Sequence, residues 1–242
     1  NGATGNPCAP TPFVSGCPGG LLGLGFTGLM TDGRTSYDGL YNAGNMVVGG
    51  AAGVLTISQV PAGDATGSTN TQQYAFQYGV NANPANTGVF TAHTRVNAPF
   101  AGVTPQGNQS MGLYIGTGDQ DNYAKVVLTA NGGSPGVQFV QEVGGVAAAG
   151  PVAPLSLPGP DFVDLYLTVD PAAATVSVSY RATTNGIAGP LVTLGSAHSI
   201  PTAWCTSTTR GLAIGLIATS AGGSTFPATW SVLEATAGTS AG

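Results

Sequence analysis

The stretch "GLYIGTGDQDNYAKVVL", Gly112 to Leu128, decides how this chain is read. Short runs rich in aliphatic, aromatic and β-branched residues flank Asp119-Gln120-Asp121-Asn122, and such runs favour strands. Asp and Asn bond their own backbone and tolerate left-handed conformations, so the four polar residues predict a hairpin turn. If the two strands pair across it, Tyr114 and Lys125 share one face. A second reading is a metal site, because calcium takes six to eight oxygens, often from Asp and Asn. Asp119, Asp121 and Asn122 offer three side chains for it, although the Gly and closing Glu of an EF-hand are missing.

Outward from this hairpin, helical periodicity is nearly absent. β-rich runs alternate with Gly, Pro and Asn punctuation: "GVLTIS" (53–58), "QYAFQYGV" (73–80), "GVFTAHTRV" (88–96), "GVQFVQEV" (136–143), "RGLAIGLIATS" (210–220) and "ATWSVLEAT" (228–236). This spacing is that of an all-β sandwich. In "VDLYLTVD" (163–170), Val163, Leu165, Leu167 and Val169 point one way and Asp164, Tyr166 and Thr168 the other. That alternation fits a strand with one packed and one wetter face. "DPAAA" joins it to "TVSVSYRA" (175–182) as a second hairpin, with Pro171 presetting the turn. Segments 61–71 and 143–160 read as long loops.

Composition narrows the function. Of 242 residues only 6% are charged, five basic and ten acidic, while Gly numbers 39; about a quarter charged is usual. Nucleic-acid binding needs clustered Lys and Arg to neutralise phosphate, and five scattered cations exclude it. No apolar run reaches the ~20 residues of a membrane-spanning helix. Low charge with abundant Thr, Ser and Asn suggests a secreted or cell-surface protein, and the start at Asn1 suggests a processed chain or excised domain. Cys8 and Cys17, in a Pro/Gly-rich segment, are expected to form a disulfide; pairing of Cys205 with either is the alternative.

The order of pieces resembles the concanavalin A-like lectin/glucanase jelly rolls found as modules of secreted bacterial proteins. The resemblance rests on "GVLTI", "F-x-x-x-x-R-V" (Phe90 to Val96), "G-L-Y-I-G…D-x-D-N-Y-x-K-V-V-L" (Gly112 to Leu128), "VDLYLTVD…TVSVSY" and "ATWSVLEA". It covers about residues 45–236, leaving a Cys/Gly/Pro-rich segment at 1–44, expected to pack on the sandwich, and a linker-like tail at 237–242. It implies two antiparallel sheets face to face, one of them concave and open, with the last strand beside the first. Carbohydrate is commonly bound on that face or its rim loops, and calcium braces some members.

The expected ligand-facing residues are His93, Arg95, Tyr114, Lys125 and Tyr166, with Glu142 or Gln138 beside them. Planar rings stack on sugar C–H faces and polar groups read hydroxyls. Trp204 is expected in a loop, where an exposed indole would add a stacking platform; Trp230 reads as core. The retaining glucanases of this superfamily carry an "E-x-D-x-x-E"-like run on one strand, and retaining hydrolysis needs two carboxyl groups ~5 Å apart. Here the two glutamates, Glu142 and Glu234, fall on different strands. The expectation is therefore a non-catalytic, extracellular carbohydrate-binding module whose partner is a polysaccharide or glycan. A self-associating surface or filament subunit is the alternative, and a polysaccharide lyase using His93, Arg95 and Tyr114 a lesser one.

Overall fold

The computed structural model describes residues 25–49, 53–208 and 210–238. The expected Cys8–Cys17 disulfide and residues 239–242 lie outside them. The chain forms a two-sheet antiparallel jelly roll. One sheet has seven strands, in the order β1 (Gly28–Leu29), β4 (Phe76–Val80), β15 (Leu212–Thr219), β6 (Ser110–Gly116), β7 (Tyr123–Thr129), β8 (Gly136–Val143) and β9 (Val146–Pro154). The other has nine. Its path runs β12 (Ile187–Ala188), β11 (Thr175–Thr184), β10 (Phe162–Asp170), β5 (Phe90–Asn97), β16 (Ala228–Ala237), β3 (Val54–Ile57) and β2 (Met46–Gly49). The short strands β13 (Val192–Thr193) and β14 (His198–Ser199) also pair with β11.

The core lies between the sheets and is filled by the apolar half of each alternating strand. Val163, Leu165, Leu167 and Val169 of β10 are all fully buried, facing Leu113, Ile115, Val126 and Leu128 from the opposite sheet's hairpin. Burying a side chain of this size stabilises by roughly 1.5–3 kcal/mol. The last strand lies beside β3, with Trp230 opposite Leu55. The β6–β7 hairpin pairs Tyr114 with Lys125 in register, and β10–β11 closes over Asp170, whose Oδ1 accepts the N–H groups of Ala172 and Ala173.

Two expectations change. Residues 143–160 are not a loop throughout, because β9 forms the edge of the seven-stranded sheet along β8. Gly144 and Gly145, at φ 59° and 77°, make the tight left-handed turn between them. Ala, Gly and Pro mask the strand in the sequence, yet Pro is tolerated at an edge, where one side needs no N–H donor. The sandwich also begins before residue 45: β1 pairs with β4, and Phe26, Leu29 and Leu40 are core residues.

A long segment, residues 61–72, folds back over the outer face of the seven-stranded sheet. Its neck is so narrow that a Cβ on Gly63 would sit 1.8 Å from the Thr71 carbonyl oxygen. With residues near Met30 it encloses a second, smaller apolar cluster of Met30, Ala65, Ala75, Tyr114, Tyr123, Val127 and Ile217. The open outer face that the resemblance implies is thus half covered by the chain itself.

Candidate functional site

The strands carry the expected ligand-facing residues to three places. His93, Arg95 and Tyr166 stand on the outer face of the nine-stranded sheet. Tyr114 and Lys125 stand on the outer face of the other sheet, and Trp204 sits in a short helix, α1 (Thr202–Thr206). The single patch expected of them does not form. Strand parity set each face correctly, but the pairing order put β5 and β10 in one sheet and β6 and β7 in the other.

On the nine-stranded sheet the polar groups satisfy one another. His93 lies 2.9 Å by Nδ1 from Glu234 Oε1 and 2.9 Å by Nε2 from Asp164 Oδ1. Arg95 donates from Nε to Asp164 Oδ1 (2.8 Å) and from Nη2 to Oδ2 (3.0 Å), while its guanidinium covers the Phe162 ring at 4.0 Å. Tyr166 stacks on His93 with ring centres 4.6 Å apart. Burial alone would lower the His93 pKa, but its hydrogen bonds to Asp164 and Glu234, with their charges, hold it above 6.5. Burial would likewise raise Asp164, yet the bonds from His93 and Arg95 hold it below 3.8. This is a closed network, with its donors and acceptors turned on each other.

Trp204 is 5% exposed and belongs to the core, so the exposed indole platform is not formed. One turn of helix, which sequence punctuation did not signal, turns it inward beside buried Cys205. The calcium residues are likewise engaged. Asp119 Oδ1 accepts the Asp121 N–H and the Asn122 amide (both 3.0 Å), and its Oδ2 accepts the Thr117 hydroxyl. Asn122 Oδ1 accepts the Gly144 N–H, and Asp121 Oδ1 takes the Asn70 amide at 2.7 Å. These bonds engage both Asp119 oxygens, Asn122 Oδ1 and one of the two Asp121 oxygens, the pattern of polar side chains that hold their own turn.

The seven-stranded sheet differs. Between segment 61–72 and the edge strand β9 lies a trough of about 330 Å³, floored by β6, β7 and β8. Its lining is Asp64, Thr66, Asn108, Ser110, Lys125, Thr129, Asn131 and Gln138, with Val127, Val140, Ala147 and Ala149 as apolar floor and wall. Lys125, only 5% exposed, donates from Nζ to Thr66 Oγ1 (3.2 Å) and lies 3.7 Å from Asp64 Oδ1. Burial lowers its pKa, and Asp64 and Glu142 only partly offset that. Beside it Glu142, fully buried, accepts the Gly67 N–H and the Tyr123 hydroxyl on Oε2, each at 3.0 Å. Oε1 has no protein partner. Desolvation raises the Glu142 pKa despite those bonds and Lys125.

The wall depends on the hairpin quoted first. Gln120, passed over in the sequence between two aspartates, is 1% exposed; its Oε1 accepts the Gln72 N–H and its amide donates to the Gln72 carbonyl. Asp64, Thr66, Asn108 and Asn131 were also missed. Each sits in a polar loop without a diagnostic string, and only the docking of the loops brings them to the trough.

Comparison with known proteins supports the architecture. No protein-family model and no curated protein sequence matches the chain. Among solved structures, a functionally unknown protein from Saccharomyces cerevisiae aligns at TM-score 0.56 and 19% identity, over 80% of this chain and 93% of that one. GH43B of the Bacteroides ovatus xyloglucan PUL aligns at TM-score 0.60 and 17% identity, over 81% and 35%. A xylan β-1,4-xylosidase from Bacillus halodurans C-125 aligns at 0.56 and 14%, over 76% and 32%. These proteins share the two-sheet antiparallel jelly-roll sandwich of this chain.

These neighbours correct one expectation. The lack of a carboxylate pair on one strand points to a non-catalytic module. That inference does not stand, since the same sandwich occurs within enzymes that act on carbohydrate. The chain spans about a third of those two proteins, so their activities belong to more polypeptide than aligns here.

Proposed function

We propose that the domain recognises carbohydrate in the trough of the seven-stranded sheet. The observation that carries this is the lining: hydroxyls, amides, one ammonium and one carboxylate ring an apolar floor of Val127 and Val140. Sugars present that combination in complement, with hydroxyls at the rim of each ring and C–H groups on its faces. A volume of about 330 Å³ falls at the small end of the ~300–1,000 Å³ usual for ligand pockets. The likeness to carbohydrate-active enzymes supports the reading at the level of fold. Lys125 lies close to Asp64, and so scarce a positive charge favours neutral glycans over polyanions. An extracellular setting, where glycan polymers are met, belongs to the same proposal.

The test is retention on insoluble cellulose, xylan, mannan and chitin, with soluble products followed by mass spectrometry. Wild type should be retained on at least one polymer, and Ala149→Trp, which fills the trough from an exposed edge position, should not. Failure of the wild type on every polymer would overturn the reading.

A further inference from the structure

We infer that the trough takes the end of a glycan chain rather than a stretch within it, an inference that rests on the carbohydrate reading. Along β7 the outward positions are Tyr123, Lys125, Val127 and Thr129, and across the sheet Tyr123 pairs with Glu142 and Lys125 with Val140. The row of Lys125 and Val140 lines the trough; the next row, Tyr123 and Glu142, is fully buried. What separates them is segment 61–72. Thr66 Oγ1 lies 3.2 Å from the Tyr123 hydroxyl, and the Gly67 N–H is bound to Glu142. These bonds lay the segment across the sheet as a stop.

The stop is fastened at several points. Thr219 donates its hydroxyl to the Gly63 carbonyl, the Ser220 N–H bonds to Pro61, and Asn70 is held by Asp121. The opposite end is framed by exposed Asn108 and half-buried Asn131, and faces solvent. A polymer lying along the strands would enter past these two residues and halt against Thr66. There the Lys125 ammonium, the Thr66 hydroxyl and the Asp64 carboxylate converge, a donor and acceptor set able to read the extra hydroxyl that a chain terminus has and an internal residue lacks. A trough of about 330 Å³ that is blind at one end limits the occupant to the last few sugar units.

The experiment uses the polymer that retains the protein. Partial cutting with an unrelated endo-hydrolase raises the number of chain ends tenfold at constant mass. Saturating bound protein should rise nearly in proportion, and affinity for linear oligosaccharides from that polymer should level off by three units, gaining less than twofold from trimer to hexamer. Thr66→Ala, which removes a hydroxyl that both faces the trough and holds the stop, should weaken trimer binding at least fivefold, and Thr66→Ser, which keeps the hydroxyl, should restore it. Capacity that ignores the number of ends, with affinity climbing steadily to the hexamer, would overturn the inference while leaving carbohydrate recognition intact. No binding to any polymer would instead remove the reading beneath it.

Discussion

The two outer faces of the sandwich are made from the same scarce ingredients and use them in opposite ways. On the nine-stranded sheet, Arg95 and His93 meet Asp164 and Glu234 on adjacent strands, and every hydrogen bond closes within the sheet. On the seven-stranded sheet, Lys125 has no carboxylate on a neighbouring strand at its own level: its cross-strand partners are Tyr114 and Val140. It reaches instead to Asp64 and Thr66 on a loop, and those contacts border a trough. A cation matched across strands becomes structure. A cation matched only through a loop is left beside a cavity, where a ligand can use it.

Filling the trough should have the largest effect. Ala149→Trp is expected to cut glycan affinity at least about tenfold, a loss of about 1.4 kcal/mol or more in binding, without lowering the melting temperature; equal loss with a Trp at Ser177, on the nine-stranded sheet, would erase the contrast between faces. Breaking the network should show in stability rather than binding. Asp164→Ala leaves His93 and Arg95 without their shared carboxylate and should cost about 2–3 kcal/mol in urea unfolding. That lies below the ~3–5 kcal/mol of a fully buried pair because Arg95 is partly solvated. Glycan affinity should hold.

The pH dependence separates the faces more finely. His93 has a raised folded pKa, so its contribution is complete below its unfolded 6.5 and disappears as pH rises through the folded value. Asp164, lowered, contributes above 3.8 and loses that as pH falls through its folded value. Glu142, raised, acts with the sign of His93: its contribution is complete below 4.5 and disappears as pH climbs through its folded pKa. Rising pH should therefore remove the Glu142 contribution above 4.5 and the His93 contribution above 6.5, a decline in melting temperature that His198, lowered by burial, opposes in part. His93→Gln and Glu142→Gln should each flatten part of that decline, additively, since the groups lie on opposite faces. Coupling between them would show that the faces are not independent. The smallest effect is expected from EGTA: with the Asp119 carboxylate, Asn122 Oδ1 and one Asp121 oxygen already bound by protein donors, the melting curve should not move.

Much of the fold was legible because burial on one face imposes a period of two. The alternation from Val163 to Val169 and the pairing of Tyr114 with Lys125 follow from that period and a well-marked turn. The site was legible only in part. Lys125 and Gln138 were singled out, and both line the trough, but His93, Arg95 and Tyr166 were grouped with them although they belong to the far sheet. Parity says which face of a strand a residue occupies. It does not say which sheet the strand joins. β9 was hidden for another reason: an edge strand paired on one side tolerates Ala, Gly and Pro, so its composition is that of a loop.

The sequence by itself determined an all-β sandwich, its two hairpins, the inward half of each main strand and the poverty of charge. These follow from local pattern and composition. Tertiary structure alone decided where segment 61–72 lies, and with it the trough, its blind end and the burial of Glu142 and Tyr123. The physical reason is that the segment is held by single hydrogen bonds from residues far along the chain, Gln120, Asp121, Glu142 and Thr219. Such bonds have no periodicity and leave no local mark. Asp119-Gln120-Asp121-Asn122 is thus both a turn, as its residues announce, and the anchor of a wall, which they do not.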